Sequence, residues 1–259
     1  MDHTGTSPAE RASRLMQGHQ IASRRRRLTT TAVVVIAVVA STFGAQKALS
    51  ARDGSAPDVA APKHSTKDFG FRLTPALATA KKKTEPAVTV ALYEDFLCPS
   101  CRVFEERSGD FLRSAVEDGR IVIEYRPFTF LVGASTNRYA ERASNAAACV
   151  ADSAGVVAYA DFHDRLYANQ PKEGGDGPKD SKLIAWAKKA GAPDAAECIR
   201  DETFAAWVAQ ALAEGKSRGV SKTPTVSVNG SALQVAGQDG GTAIPGPDAL
   251  EQAISSLGA

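Results

Sequence analysis

Two cysteines separated by two residues, Cys98 and Cys101, carry the strongest chemical signal in the sequence. They stand where a helical pattern begins, and Pro99 suits the first helical turn because an N–H there would lack an intrahelical partner. Cys98 is therefore predicted to be the helix N-cap, where unpaired N–H groups and the helix dipole stabilise a thiolate and lower the thiol pKa. Cys101, one turn further on the apolar face, is predicted to be the buried resolving thiol. The Ser100 hydroxyl between them could donate a hydrogen bond to the Cys98 sulfur.

Three other uses of a C-x-x-C pair compete with redox chemistry. A zinc site needs two further ligands, and His163 is the only histidine after residue 64. A haem attachment site needs a histidine directly after the second cysteine, where this chain has Arg102. The third alternative is an inert structural disulfide. We interpret the pair as a redox-active disulfide, and we predict neither a metal nor any other cofactor.

The remaining cysteines are Cys149 and Cys198. Four cysteines allow three disulfide pairings, and the sequence alone does not choose among them. Spacing favours one bond within the C-x-x-C pair and a second bond between Cys149 and Cys198. The second bond would close a loop of about 50 residues, which contributes roughly 4 kcal/mol in the chain-entropy model. We interpret it as a structural disulfide, with a second redox relay as the alternative.

Apolar periodicity predicts an α/β fold in which a parallel βαβ unit precedes a helical block and a β-hairpin. The helical block, about 137–215, is rich in alanine and has almost no strand signal. Asn229-Gly230 is a strong signal for a tight hairpin turn. The predicted elements are a strand at 88–93, a helix from 101 to about 117 with a kink or break at Gly109-Asp110, a strand at 121–125, helices within 137–215, strands at 224–228 and 232–235, and a helix at 247–257.

The first 84 residues are organised differently from the rest of the chain. Residues 1–27 contain six arginines and two acidic residues, and they are predicted to form a basic cytoplasmic tail. Residues 28–46 carry no charge, and a helix of that length measures about 28 Å, enough to cross the hydrocarbon layer of a membrane. The positive-inside rule then places everything after residue 46 outside the cytoplasm. Residues 47–84, rich in Ala and Pro with poor periodicity, are predicted to be a flexible linker.

A cleaved signal peptide is the alternative to this uncleaved signal-anchor, because Ala48-Leu49-Ser50 before Ala51 is an acceptable cleavage site. Both alternatives place the C-terminal part outside the cytoplasm. The formal net charge of the chain is +2, and its excess of cations is confined to residues 1–27. A nucleic-acid-binding domain usually has a basic folded part, so we predict no nucleic-acid partner.

Three motifs in order give the chain a family resemblance. Residues 93–101 (YEDFLCPSC), 126–128 (RPF) and 222–226 (KTPTV), the last followed by Asn229-Gly230, resemble the DsbA-like thioredoxin-fold family. The resemblance is to its membrane-anchored branch in high-GC Gram-positive bacteria, and it covers about 85–259. It implies a thioredoxin fold, βαβ followed by ββα, with a helical domain inserted between the two halves.

The resemblance also implies roles for further residues. The Thr223–Pro224 peptide bond is expected to be cis and to face the disulfide, so that its loop pairs with an extended substrate. The family often has a buried acid six residues before the first cysteine, where this chain has Leu92. Glu94 and Asp95 are therefore the candidates for proton transfer with Cys101. The Pro-Ser dipeptide differs from that of the best-known members, so the resemblance implies no value for the reduction potential.

The resulting prediction is an extracytoplasmic thiol–disulfide oxidoreductase that helps exported proteins to fold by forming their disulfides. Its expected substrates are unfolded or reduced exported proteins, and the resemblance implies a membrane redox partner of the VKOR or DsbB type. The N-terminal helix is expected to hold the protein in the cell membrane as a single-pass anchor. The alternatives are a reductase or isomerase of the same fold and a non-catalytic module that binds peptides or a metal.

Overall fold

The protein is described by a computed structural model that covers residues 59–79, 88–237 and 241–258. The predicted cytoplasmic tail (1–27) and anchor (28–46) lie outside the described residues. Within the ranges that are described, no helix combines the length and the apolar character needed to cross a membrane.

The helices and strands, numbered in chain order, are β1 (Phe71–Leu73), α1 (Pro75–Thr79), β2 (Val88–Glu94), α2 (Pro99–Glu117), β3 (Ile121–Pro127), α3 (Tyr139–Ala168), α4 (Asp180–Lys189), α5 (Ala196–Arg200), α6 (Ala205–Ser217), β4 (Thr225–Val228), β5 (Ser231–Ala232), β6 (Val235–Ala236), β7 (Thr242–Ala243) and α7 (Pro247–Ser255), with a 3₁₀ turn at Pro193–Ala195.

A five-stranded sheet in the order β1-β3-β2-β4-β5 forms the centre of the fold. β2 and β3 are parallel, while β4 pairs with β2 in the antiparallel direction. Val90 on β2 therefore lies between Ile123 on β3 and Val228 on β4. The continuous apolar sequence of β2 suits a strand covered on both faces. The βαβ unit, the helical insertion and the final ββα half follow the predicted order.

Helix α2 begins at the C-x-x-C motif and continues without a break through Gly109, so the kink predicted there is wrong. Its apolar face, which includes Phe104, Leu112 and Val116, is fully buried against the rest of the core. A glycine inside a helix costs about 1 kcal/mol, and burial of these three side chains outweighs that cost.

The helical insertion comprises α3 to α6. Gly155, with φ +84°, has non-helical backbone angles and divides α3 into two helical segments. The predicted disulfide is confirmed, because Cys149 on α3 is bonded to Cys198 on α5. Tyr159 on α3 packs on the sheet, with its ring centroid 4.6 Å from that of Phe71.

The predicted linker, 47–84, is corrected by the structure over residues 59–79. β1 pairs antiparallel with β3 and forms one edge of the sheet, with Phe71 opposite Tyr125. Phe71 and Leu73 are both 0% exposed, so this segment belongs to the core. The strand has only three residues, and its partner strand lies about 50 residues further along the chain. Sequence periodicity over so short a segment is a weak signal.

The hairpin after β4 is also shorter than predicted. Its returning strand is Ser231–Ala232 rather than 232–235. Val235 pairs instead with Ala243, in a separate two-stranded sheet formed by β6 and β7. The C-terminal helix was predicted at 247–257 and is present as α7, Pro247–Ser255.

We predict that Phe71→Ala lowers the free energy of unfolding of the full-length chain by about 3–5 kcal/mol, because it opens a cavity in a closed core. Urea denaturation followed by circular dichroism measures this change. Leu77→Ala is the matched control, since Leu77 is 47% exposed and should cost less than about 0.5 kcal/mol. Equal costs for the two variants would show that β1 is not part of the stable fold.

Candidate active site

Cys98 lies at the junction between the end of β2 and the start of α2. It is the N-cap of α2, with extended backbone angles, and Pro99 occupies the first turn, as predicted. Its backbone N–H donates to the Asp95 carbonyl at 2.9 Å, and its own carbonyl accepts from the Cys101 N–H at 3.1 Å. The Cys98 side chain is 7% exposed, and its neighbours Pro99 and Ser100 are exposed. Cys98 is therefore nearly covered but lies directly beside exposed residues.

The helical insertion holds the turn that leads into Cys98. Gln170 donates its side-chain N–H to the carbonyls of Phe96, at 3.1 Å, and Cys98, at 2.9 Å. The Tyr167 hydroxyl donates to the Asp95 carbonyl at 3.3 Å. These contacts fix the backbone on which the first cysteine stands. Sequence reasoning missed both residues, because a lone glutamine after a helix carries no chemical signal.

Several hydrogen bonds lower the pKa of Cys98 to about 6. The largest contribution is the hydrogen bond from the Cys101 thiol, which outweighs the opposing effect of burial. The contact with Thr223 and the backbone N–H groups of Cys101 and Ser100 add to it. Ser100 thus contributes through its backbone, whereas the sequence had pointed to its hydroxyl. At neutral pH Cys98 is largely a thiolate, the nucleophilic form of cysteine.

Cys101 has the opposite electrostatic environment. Its side chain is 0% exposed, and burial raises its pKa well above the usual value. Its hydrogen bond to Cys98 and the negative charge of Glu94 raise the pKa further. Cys98 and Cys101 are not bonded to each other in this structure. The arrangement gives one reactive sulfur beside the exposed residues Pro99 and Ser100 and one fully buried, protonated sulfur.

The Thr223–Pro224 peptide bond is cis, as the family resemblance implies. The Thr223 carbonyl oxygen lies 3.5 Å from the Cys98 sulfur. A groove of about 180 Å³ extends along this loop, lined by residues that include Ser100, Pro224 and Leu233. The loop therefore presents backbone groups beside the reactive sulfur.

Asp95 is fully buried, and both oxygens of its carboxylate are engaged. Oδ1 accepts from the Leu97 N–H at 2.8 Å, and Oδ2 accepts from the Leu131 N–H at 2.7 Å. Burial raises the pKa of Asp95 to about 6, although the two backbone donors oppose that shift. Asp95 thus joins the active-site turn to the loop that follows β3.

Glu94 belongs to a buried cluster that the sequence did not reveal. Its Oε2 lies 3.1 Å from Nε2 of His163 on α3, and the Glu105 carboxyl from α2 lies beside it. Leu92, at the position where the family often has an acid, is buried in the core. The sequence places Glu105 one helical turn beyond Cys101 and leaves His163 unpartnered, so no pattern joins the three residues before the fold is known.

One oxygen of each glutamate and a ring nitrogen of His163 lie within 4.8 Å of one another, a spacing also found in metal sites. The two nitrogens of His163, however, are hydrogen-bonded to Glu94 and Asp164. These contacts raise the pKa of His163 to about 10, despite its complete burial. Both nitrogens of His163 are thus engaged with carboxylates, and the cluster is held together by ion pairs in this structure.

Comparison with known proteins agrees with the fold. A family model described as thioredoxin matches residues 83–240. The structure is similar to that of Mycobacterium tuberculosis DsbA in its oxidised form, with 30% identity and a TM-score of 0.60, covering 73% of this chain and 92% of that one. It is also similar to the disulfide bond oxidoreductase DsbG of the same organism, with 29% identity, a TM-score of 0.57, and coverage of 75% and 97%.

The thiol–disulfide oxidoreductase MdbA of Corynebacterium diphtheriae shares the fold, at 24% identity and a TM-score of 0.57, with coverage of 78% of this chain and 97% of that one. The search of curated protein sequences found no match.

We predict that the rate at which iodoacetamide alkylates Cys98 in the reduced full-length protein is half-maximal near pH 6. A lowered pKa means that the thiolate is already formed at a pH where an ordinary thiol, with a pKa of about 8.5, is still protonated. Mass spectrometry of the alkylated peptide measures this profile. In Cys101→Ala the main hydrogen bond is lost, so the midpoint should move to higher pH. A wild-type midpoint near 8.5 would contradict the arrangement described.

Proposed function

The chain belongs to the thioredoxin family and is a thiol–disulfide oxidoreductase of the DsbA type, and we propose that it forms disulfide bonds in exported proteins outside the cytoplasm. Its redox centre is the pair Cys98 and Cys101, within the active-site loop that also contains Pro99 and Ser100. The redox-active disulfide itself is the only cofactor in this proposal.

The reaction begins with Cys98 and Cys101 joined as a disulfide. A substrate thiolate attacks the Cys98 sulfur, forms a mixed disulfide and releases Cys101 as a thiolate that takes up a proton. A second substrate thiolate then attacks the substrate sulfur of the mixed disulfide, which forms the substrate disulfide and releases Cys98 as a thiolate. The substrate loses two electrons, and the enzyme gains them.

The oxidising direction is supported by the stabilised thiolate of Cys98. The lowered pKa of Cys98, about 6, means that hydrogen bonds stabilise its thiolate in the reduced protein. A disulfide carries no negative charge, so the same hydrogen bonds stabilise the oxidised protein less. Stabilisation of the reduced form makes the oxidised form a stronger oxidant. This observation carries the proposal, and it favours an oxidase over a reductase.

Substrate binding is assigned to the groove beside Thr223 and Pro224. The groove is open to solvent and lies next to Ser100 and the Cys98 sulfur. An extended peptide can hydrogen-bond to the backbone of this loop while one of its cysteines reaches Cys98. Backbone recognition does not depend on the substrate sequence, so it suits an enzyme that acts on many unfolded proteins.

Of the two acids considered for proton transfer with Cys101, Glu94 is the better placed. Its charge acts on the Cys101 thiol and contributes to the raised pKa of that thiol. Asp95, by contrast, uses both carboxylate oxygens to accept backbone N–H groups. We therefore assign proton transfer to Glu94 and a positioning role in the active-site turn to Asp95.

We further propose a single-pass protein of the cell membrane, anchored by residues 28–46 with the N-terminus in the cytoplasm. A membrane redox protein of the VKOR or DsbB type would return Cys98 and Cys101 to the disulfide. The uncharged stretch after four arginines supports the anchor, and the family resemblance supports the partner.

The orientation predicts that, after mild reduction, a membrane-impermeant maleimide labels Cys98 in intact cells. Cys149 and Cys198 are bonded to each other and do not compete for the reagent. Cys98→Ser is the control for the labelled position. Labelling that requires permeabilised membranes would place the redox centre in the cytoplasm and contradict the proposal.

The activity predicts that Cys98→Ser abolishes oxidative refolding of a reduced test protein by the full-length enzyme. The double variant Cys149→Ser/Cys198→Ser is the matched control, because it removes a disulfide that lies outside the redox centre. That control should retain exchange while losing roughly 2–4 kcal/mol of stability. Refolding activity in Cys98→Ser would refute the assignment.

A further inference from the structure

Beneath the redox centre, three elements bring their polar side chains to one buried point. Glu94 comes from β2, Glu105 from α2 and His163 from α3. Glu94 is 5% exposed and His163 is 1% exposed. Burial of ionisable groups is unfavourable unless their charges are paired, so this cluster needs a physical explanation.

The burial of the two carboxyl groups is less unfavourable if they share one proton. Oε1 of Glu94 and Oε1 of Glu105 are both buried, and neither has a hydrogen-bond partner among the residues that the structure describes. Burial and the neighbouring charge of Glu94 raise the pKa of Glu105 well above its usual value. Adjacent buried carboxyl groups disfavour two negative charges, so a proton shared by the pair lowers its electrostatic cost.

His163 supplies the positive charge that keeps the remaining negative charge in place. Its Nε2 donates to Glu94 and its Nδ1 donates to Asp164, each at 3.1 Å. Asp164 is itself held by Arg113 at 2.6 Å. The His163 side chain is also enclosed by aromatic rings, the closest being those of Tyr125 and Tyr167 at 4.7 and 4.9 Å between ring centroids.

The described groups around His163 include several tyrosines. Burial raises the pKa of each surrounding tyrosine well above its usual value, so these side chains stay neutral. The titratable or charged groups described around the cluster, in addition to the two glutamates, include Asp95, Cys98, Cys101, Arg113, Tyr125, Tyr159, Asp164 and Tyr167.

The cluster connects electrostatically to Cys101 and borders a cavity. The charge of Glu94 acts on the Cys101 thiol. Glu105 and Arg113 line a cavity of about 220 Å³ with an opening to the surface. A proton that leaves Cys101 for Glu94 would then reach solvent by way of Glu105 and this cavity.

We infer that His163, carried by the helical insertion, is a positioning residue that keeps one negative charge on the Glu94–Glu105 pair and so maintains the pair as the proton acceptor and donor for Cys101. This inference rests on the proposed function of Cys98 and Cys101. When Cys101 attacks a mixed disulfide at Cys98, its proton moves to the carboxyl pair. When Cys101 leaves as a thiolate, the same proton returns to it.

The test follows the reduced full-length protein after mixing with oxidised glutathione. Cys98 first forms a mixed disulfide with glutathione, and Cys101 then displaces the glutathione thiolate. Acid quenching and mass spectrometry give the rate of each step between pH 5 and 9. His163→Gln removes the charge, His163→Lys retains it, and His64→Gln is the matched control at an exposed histidine.

We expect His163→Gln to slow the second step at least tenfold at pH 6 and to add an ionisation to its pH profile. Without the imidazolium, the buried carboxyl pair binds a second proton and cannot accept one from Cys101 until the pH rises. His163→Lys should restore most of the rate and remove the added ionisation. The first step should be unchanged in all variants, because Cys98 has a lowered pKa, attacks as a thiolate and gives no proton to the carboxyl pair.

An unchanged second step in His163→Gln would overturn the inference and leave the proposed function intact. Equal slowing in His163→Gln and His163→Lys without a new ionisation would show a purely structural role and also overturn it. Failure of the wild type to form the mixed disulfide at Cys98 would refute the proposed function, and with it the inference.

Should His163→Gln not fold, nitrogen-15 NMR of the wild-type imidazole decides the question. A His163 imidazolium that persists to pH 9 supports the inference, and titration near pH 6.5 overturns it.

Discussion

The chemistry of this protein depends on the hydrogen bond between two sulfurs at the start of α2. The thiol of Cys101 donates to Cys98 and is the largest cause of the lowered pKa of Cys98. The same bond keeps the proton on Cys101, whose pKa is raised chiefly by burial. One interaction thus separates two chemically identical side chains into a nucleophile and a resolving thiol.

The rest of the fold holds that bond in place. β2 leads into the active-site turn, and Cys98 caps α2 next to the exposed residues Pro99 and Ser100. The loop before β4 brings Thr223 to within 3.5 Å of this sulfur. The helical insertion holds the turn from behind through Tyr167 and Gln170. The insertion is therefore part of the redox centre as well as a cover for the sheet.

Sequence patterns predicted the features that depend on neighbouring residues. The C-x-x-C motif with Pro99 gave the N-cap and the different burial of its two cysteines, while the long apolar run of β2 gave the central strand. Cysteine spacing gave the Cys149–Cys198 bond, which the structure contains. Features that depend on distant residues were missed. His163 meets Glu94 across 69 positions, and β1 is too short to show a period, so only the folded chain reveals these contacts.

The reduction potential of the Cys98–Cys101 couple tests this account most directly. It is measured by equilibrating the full-length protein in buffers with known ratios of reduced to oxidised glutathione. Thiol labelling then gives the fraction of protein that is reduced. A stabilised Cys98 thiolate predicts a potential well above the value of about −270 mV for thioredoxin. A potential at or below that value would show that the dithiol is not favoured and would contradict the oxidising role.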